Sequence, residues 1–317
     1  MKRFALIGVA GYIAPRHLKA IKDTGNVLVA ALDKSDSVGV LDSYFPDADF
    51  FTEFERFDRH LEKLRGADAK QAVDYVTICS PNYLHDAHVR FALRIGAGAI
   101  CEKPLVLNPW NIEALEEIES QSKGEINTIL QLRLHPAIIE LKKKIDAGDK
   151  DKIHDIDLTY ITARGKWYQF SWKGSAEKSG GVATNIGIHF FDMLAWIFGG
   201  VKKNTVNLNQ PKRAAGVLEL ERARVRWFLS LEKNDLPFEV QEGKPATHRS
   251  MKIDGQEFDF SDGFSQLHTE SYKKILAGEG FTTKDVLASV QIASDIRSAE
   301  AVGLKGDYHP ILKSIKL

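Results

Sequence analysis

Four short apolar runs, Phe4 to Val9, Val27 to Leu32, Tyr75 to Cys79 and Ala97 to Cys101, alternate with helix-like stretches through the first part of the chain. Runs this short and this continuous predict strands buried on both faces, and their alternation with helices predicts a parallel sheet. Glu53 to Leu64 and Tyr83 to Ile95 carry apolar residues three and four apart, and Asn108-Pro109 predicts a helix cap with proline at the first helical position. After residue 124 the pattern changes. Thr128 to Leu134, Ile153 to Ala163, Val217 to Leu220 and Val225 to Leu231 read as strands among loops and longer helices. The prominent helices are Asn185 to Phe198 and Lys284 to Val302, the second behind a Thr283 cap. The polar stretch Lys233 to Ala246, with prolines and a glycine, predicts a hairpin or loop at a sheet edge. The pattern divides the chain into a doubly wound α/β domain over residues 1–122 and an α+β domain over residues 123–317.

A length of 317 residues fits two domains, and 44% hydrophobic residues are ample for packed cores. Lys plus Arg and Asp plus Glu balance at 43 each, so no overall field favours nucleic acid or an anionic membrane. An anionic ligand must be held by a local cluster of cations. Cys79 and Cys101 both sit in apolar runs, which predicts core thiols in a reducing compartment. Met1-Lys2-Arg3 and the apolar stretch that follows imitate a secretory signal, but its glycines fall at turn positions and a helix continues where a cleavage site should be. No run approaches the roughly twenty apolar residues of a membrane span, so a cytoplasmic protein is expected. No Cys, His or carboxylate cluster has metal-ligand spacing, so no metal is expected, and His268 is read as packing behind the site.

The first strand runs into Gly8, Gly11, Tyr12 and Ile13 and then a helix, with the spacing Gly-x-x-Gly-x-x-Ala. Small residues there let backbone approach a pyrophosphate at a helix N-terminus. Asp33 follows the second strand, about twenty residues on, where a carboxylate accepts hydrogen bonds from adenosine ribose hydroxyls and repels a 2′-phosphate. NAD is therefore favoured, with Lys34 leaving a small allowance for NADP. Ser80, Pro81 and Asn82 lie at the next strand's carboxyl end and are placed on the nicotinamide side of the cleft, with Asn82 also suited to cap the following helix. His85 lies one turn into that helix. Glu102, Lys103 and Pro104 end another strand, placing the Lys103 ammonium where open α/β sheets bind ligands. In the second half, Ser179-Gly180-Gly181 leads into a helix with Asn185 and His189 four apart on one face.

The glycine turn, Ser80-Pro81-Asn82 with His85, Glu102-Lys103-Pro104, and Gly-Gly leading into Asn185-x-x-x-His189 together resemble the Gfo/Idh/MocA oxidoreductases over essentially the whole chain. The resemblance implies an N-terminal Rossmann domain that binds NAD or NADP. It also implies a C-terminal domain on a largely antiparallel open sheet that packs against another subunit, so a homo-oligomer, dimer or tetramer, is expected. It maps the catalytic lysine onto Lys103 and the catalytic histidine onto His189, and it adds His85 and Glu102 to the cofactor site. Many polyol dehydrogenases of the family carry aspartate where this chain has Asn185. An amide can orient a hydroxyl but cannot take its proton. The proton then goes to Lys103 with His189 orienting, or to His189 with Lys103 polarising the alkoxide.

Gln131 to Pro136 and Arg164 to Gly174 resemble the branch that oxidises the 3-hydroxyl of UDP-N-acetyl-glucosaminuronate for bacterial surface polysaccharide (O-antigen) sugars. That branch suggests 2-oxoglutarate as a second substrate that reoxidises NADH. Such a nucleotide sugar brings a carboxylate and a diphosphate, and Arg133, Arg164, Lys166 and Lys173 supply cations among Trp167, Tyr168 and Trp172. Arg249 either adds an anion contact or flanks a strand. The alternatives are a dehydrogenase of a simple sugar or polyol and a non-catalytic dinucleotide-binding regulator.

Overall fold

The structure, a computed structural model, describes residues 1–241, 246–260 and 262–315. The elements in chain order are β1 (Arg3–Ile7), α1 (Ala14–Asp23), β2 (Val27–Leu32), α2 (Val40–Tyr44), β3 (Asp49–Phe51), α3 (Phe54–Ala67), β4 (Tyr75–Ile78), α4 (His85–Arg94), β5 (Gly98–Cys101), α5 (Trp110–Ser120) and β6 (Ile126–Thr128). There follow α6 (Pro136–Ala147), β7 (His154–Thr162), α7 (Lys166–Phe170), α8 (Ala176–Ser179), α9 (Ile188–Phe198), β8 (Val201–Asn209), β9 (Arg213–Leu220), β10 (Ala223–Ser230), β11 (Thr247–Ile253), β12 (Gln256–Glu257), α10 (Leu267–Leu276) and α11 (Thr283–Ser298).

The chain forms two compact units, and the division is not sequential: residues 1–131 and 265–287 make the first, 132–264 and 288–317 the second. The first unit therefore runs past the expected boundary at residue 122, because β6 pairs with β5. It also takes back α10, whose Tyr272 is fully buried and stacks on Phe4 with ring centroids 5.8 Å apart. Its sheet is wholly parallel in the order β3-β2-β1-β4-β5-β6, the doubly wound arrangement expected. β5 is buried at every position, which explains its unbroken apolar run.

The second unit is built on a six-stranded sheet in the order β12-β11-β7-β10-β9-β8. All its pairings are antiparallel except β7 with β10. α9 is apolar nearly all round and is buried, with Phe190, Phe191 and Leu194 in the core formed with Leu158, Val225 and Trp227. Residues 176–198 form a helical stretch long and apolar enough to cross a membrane, but 72% of its apolar 18-residue window is buried inside the protein, as befits a core helix.

Several local expectations are corrected. Thr128 to Leu134 is not one strand: β6 stops at Thr128, and Gln131–Leu134 is a short 3₁₀ turn. Asn82 opens a 3₁₀ turn over Asn82–Leu84, so α4 begins three residues later with no side-chain cap. α5 starts at Trp110, with Pro109 itself at the cap position. α11 begins at Thr283, and it is the Thr282 backbone N–H that is held by the Asp285 carboxylate at 2.8 Å. Cys101 is buried and Cys79 half-buried, both as free thiols. Residues 242–245 of the expected loop lie outside the described residues.

Candidate active site

The strand order of the first unit reverses between β1 and β4, the point at which open α/β sheets bind ligands. Gly8 leaves β1 there with φ +92°. A Cβ on Gly8 would lie 2.7 Å from the Cys79 carbonyl carbon and 2.8 Å from the Ser80 nitrogen, so only glycine lets the turn lie against the end of β4. Gly11 follows in the same turn, its N–H bonded to the Gly8 carbonyl at 3.0 Å. No side chain caps the first turn of α1, which carries Pro15 near its start, so that helix end suits the diphosphate of a dinucleotide. Asp33 holds the turn from below: its carboxylate accepts the Ala10 N–H at 2.9 Å and the Ser35 N–H at 2.9 Å. Tyr12 is 86% exposed and Ile13 half-buried at the mouth of this turn. Small residues, an uncapped helix end and a carboxylate beside the second strand fit NAD.

Ser80, Pro81 and Asn82 stand across the switch point at the end of β4. The Ser80 hydroxyl bonds His88 Nδ1 at 2.8 Å, and burial pulls the His88 pKa down to about 4, so the ring is neutral. His85 does not face outward as expected of a cofactor contact. Its imidazole is 1% exposed and lies between two backbone carbonyls, Ser80 O at 2.8 Å from Nε2 and Pro104 O at 2.6 Å from Nδ1. It ties the loop after β4 to the loop after β5, which carries the half-buried Lys103 and a cis Lys103-Pro104 peptide.

Glu102, expected on the cofactor, is instead turned inward. Its Oε1 lies 2.9 Å from His17 Nε2 and 3.1 Å from His268 Nε2, and its Oε2 accepts the Lys103 backbone N–H at 3.3 Å. His17 Nδ1 lies 2.9 Å from the Tyr272 hydroxyl, itself 2.8 Å from Thr77 Oγ1. An ionised carboxylate only accepts, which sets the direction of every bond. Thr77 donates to Tyr272, Tyr272 to His17, and His17 and His268 to Glu102. Burial lowers the His17 pKa, in keeping with a neutral ring. Against its own burial, the two imidazoles hold the Glu102 carboxyl well below the usual carboxylate range. His17, Glu102 and His268 are the only metal-ligand grouping among the described residues. Their nitrogen and oxygen atoms sit at hydrogen-bond distance, closer than the about 3.4 Å that separates tetrahedral zinc ligands.

In the second unit, Gly180 and Gly181 both take positive φ, 79° and 76°, and turn α8 into the next helical run. That run is not a continuous α-helix from Asn185. Ala183–Gly187 is a π turn, a feature frequent at functional sites, and α9 follows it. Asn185 and His189 are both half-buried, one turn apart on the same face. Asn185 donates its amide Nδ2 to the hydroxyl of Tyr168, which is 3% exposed and whose pKa burial raises. Lys173 lies over two indoles, 5.3 Å from the Trp167 ring and 5.6 Å from Trp172, and burial followed by the nearby Arg164 lowers its pKa. Arg164 and Lys166 are exposed. Asn185, Tyr168, Trp167, Trp172, Lys173 and Arg164 thus form one cluster of an amide, a phenol, two indoles and two cations.

Arg133 departs from its expected substrate role. Its guanidinium makes two hydrogen bonds to the Asp192 carboxylate, at 2.7 and 3.0 Å, beside the ring of Trp196. Asp192 is 3% exposed in an otherwise apolar helix, and a buried carboxylate demands such a partner. That isolated aspartate was the available sequence signal. The Glu102 cluster had none, because His17 and His268 are separated by most of the chain.

Comparison with known proteins agrees with this geometry. The profile described as "Oxidoreductase family, NAD-binding Rossmann fold" matches residues 2–127, and "Oxidoreductase family, C-terminal alpha/beta domain" matches residues 142–301. The chain belongs to the Gfo/Idh/MocA oxidoreductase family. Within it, the WlbA (WbpB) dehydrogenase of Thermus thermophilus, solved with NAD and alpha-ketoglutarate, is 50% identical, with a TM-score of 0.93 over 98% of this chain and 99% of that one. The same enzyme solved with NAD and UDP-GlcNAcA is 49% identical, with a TM-score of 0.92 over 98% and 99% of the two chains. Inositol 2-dehydrogenase of Rhizobium meliloti (strain 1021) is 27% identical over 198 residues, 62% of this chain. The match spans about half of that relative, 55% of its length. The family's cofactor domain and the fit of the glycine turn assign NAD to the first unit.

Proposed function

We propose that the protein oxidises the 3-hydroxyl of UDP-GlcNAcA to the 3-keto sugar with NAD. The observation that carries this reading is the near full-length likeness, at about half identity, to a dehydrogenase solved with both of those molecules. The Arg164 to Lys173 segment supports it, since a simple polyol would need neither two cations nor two indoles to hold it.

NAD, when bound, supplies the hydride acceptor. Around it, the glycine turn and the open end of α1 hold the diphosphate, Asp33 takes the adenosine ribose, and Ser80 to Asn82 line the nicotinamide side. Lys103 removes the hydroxyl proton as C3 loses hydride, and His189 orients the hydroxyl. In the reverse assignment His189 is the base and Lys103 polarises the oxygen. Asn185, held by Tyr168, positions the substrate without ionising. Arg164 and Lys173 bind the diphosphate, and Trp167 or Trp172 stacks on the base.

A 2-oxo acid completes the cycle: its reduction to the 2-hydroxy acid consumes the hydride and a proton, leaving NAD oxidised. The relative solved with alpha-ketoglutarate supports that second half-reaction. The keto product suits an aminotransferase in making surface-polysaccharide sugars, and a cytoplasmic enzyme belongs to this reading. A homo-oligomer, dimer or tetramer, belongs to this reading, and a single-chain mass in light scattering contradicts it.

The experiment is NADH absorbance on mixing with NAD and UDP-GlcNAcA, beside UDP-GlcNAc, inositol and glucose. Sugar products are followed by mass, so that turnover hidden by reoxidation is seen. Oxidation of UDP-GlcNAcA alone supports the assignment. Oxidation of inositol or glucose in its place moves the protein to the simple-polyol reading.

A further inference from the structure

Arg249 breaks the pattern of its own strand. In β11 it shares a face with Met251 and Ile253, and Met251 is fully buried in the core while Ile253 packs against it. Its partners on β7 are equally inward: Arg249 pairs with Tyr160, Met251 with Leu158 and Ile253 with Ile156. A guanidinium thus stands where alternation calls for an apolar side chain. Such a local conflict marks a functional position more often than an error.

Three other arginines of this unit meet carboxylates, Arg133 with Asp192, Arg213 with Asp235 and Arg226 with Asp157, and Arg222 is held by the Ile145 and Asp149 carbonyls. The buried Nε of Arg249 has no hydrogen-bond partner, and the groups that act on its charge, the Tyr160 hydroxyl and the Asp259 carboxylate, do not outweigh its burial. Three rings hold it instead. The guanidinium lies 4.5 Å from the centroid of Phe264, 5.2 Å from Phe260 and 5.7 Å from Tyr160. Stacking fixes its plane, in which the guanidinium N–H groups not engaged by Tyr160 can meet a ligand. Burial of this cation outweighs what Tyr160 and Asp259 supply, and an incoming anion offsets that cost.

The position relates to the site already described. β7 continues from Tyr160 through Thr162 into the segment bearing Arg164, Tyr168 and Lys173, and Tyr168 holds Asn185. Tyr160 is near enough to Tyr168 to contribute to its raised pKa.

We propose that Arg249 is the carboxylate anchor of the substrate site, pairing in its plane with the uronate group of the sugar. This rests on the UDP-GlcNAcA reading above, and it leaves the diphosphate to Arg164 and Lys173. The chemistry recognised is a carboxylate, which the 2-oxo acid also brings.

The test is calorimetric titration of NAD-loaded protein with UDP-GlcNAcA, UDP-GlcNAc and UDP, and of NADH-loaded protein with 2-oxoglutarate. Wild type, Arg249→Gln and Arg249→Lys are compared, with thermal melts to verify folding. Arg249→Gln is expected to weaken UDP-GlcNAcA roughly 10- to 100-fold, the scale of a charge-assisted pair, while UDP-GlcNAc and UDP change less than about threefold. Arg249→Lys keeps the charge but loses the flat fork, so an intermediate loss is expected; it decides the matter if the glutamine variant does not fold. A parallel loss for 2-oxoglutarate assigns both carboxylates to Arg249, and a loss for the sugar alone assigns the uronate. Equal loss for all three UDP compounds, no loss, or loss for 2-oxoglutarate alone overturns the proposal. Wild type that fails to bind UDP-GlcNAcA removes the substrate reading and this proposal together, whereas binding unchanged by the substitutions removes this proposal only.

Discussion

The amide of Asn185 is held by the hydroxyl of Tyr168, a buried phenol in the segment that follows β7. Because an amide can only position the substrate, its value to catalysis depends on that anchor. Tyr168→Phe is expected to lower kcat by roughly 10- to 100-fold, the scale of one lost orienting hydrogen bond, with the KM for NAD unchanged. Asn185→Ala should lose at least as much. Steady-state kinetics decide: a loss of only a few-fold for Asn185→Ala removes the positioning role.

Gly8→Ala tests the cofactor cradle. Its φ of +92° and its contacts with Cys79 and Ser80 leave no room for a methyl group. The substitution should cost about 1–3 kcal/mol of stability and weaken NAD by more than about tenfold. Fluorescence titration of NADH and urea unfolding read the two effects, and unchanged NADH affinity contradicts the role given to this turn.

Glu102 supports Lys103 from inside the first unit. Removing its carboxylate leaves His17 and His268 without their shared acceptor and frees the Lys103 backbone N–H. Glu102→Ala is expected to destabilise the protein by about 3 kcal/mol, as when one partner of a buried polar group is removed. Turnover should fall as well, because the lysine loop loses one of its internal ties. Urea unfolding that matches wild type contradicts this account.

The doubly wound half was legible because its strands are continuous apolar runs and its helices repeat at three and four. The positions of Gly8, Asp33 and Lys103 at strand ends, and of Asn185 and His189 one turn apart, were legible because strand ends and helix spacing are local; their roles belong to the proposal above. What escaped was non-local. Tyr272 and His268 belong to the first unit, yet they follow the whole second sheet in sequence. Thr128 to Leu134 read as a strand because apolar content does not distinguish a strand from a turn that packs inward. Arg133 looked like a ligand cation until the fold brought Asp192 to it.

The protein should lose stability in mild acid. His88 and His309 are buried, and burial lowers each from 6.5 to about 4. A histidine kept neutral in the fold contributes stability that is fully present above its unfolded pKa and is lost as pH falls through its folded pKa. The window for both is therefore pH 6.5 down to about 4, each contributing on the order of 3 kcal/mol. Glu102 has the same sign in a lower window: its support is present above the ordinary carboxylate value of 4.5 and is lost as pH falls toward its lowered folded value. Urea midpoints at pH about 7.5, 5.5 and 4.5 should fall in that order, and His309→Gln should flatten the decline. A midpoint independent of pH contradicts this reading.

Hydride removal from C3 of the sugar is tested by following that hydrogen. UDP-GlcNAcA deuterated at C3 is incubated with the protein and NAD, with and without 2-oxoglutarate, and products are read by mass spectrometry. Deuterium is expected in the reduced cofactor, the keto sugar should have lost the label, and when the 2-oxo acid is present deuterium should appear in 2-hydroxyglutarate. Lys103→Ala should abolish all three. Sugar recovered with its deuterium intact, from protein shown to bind NAD, contradicts the account.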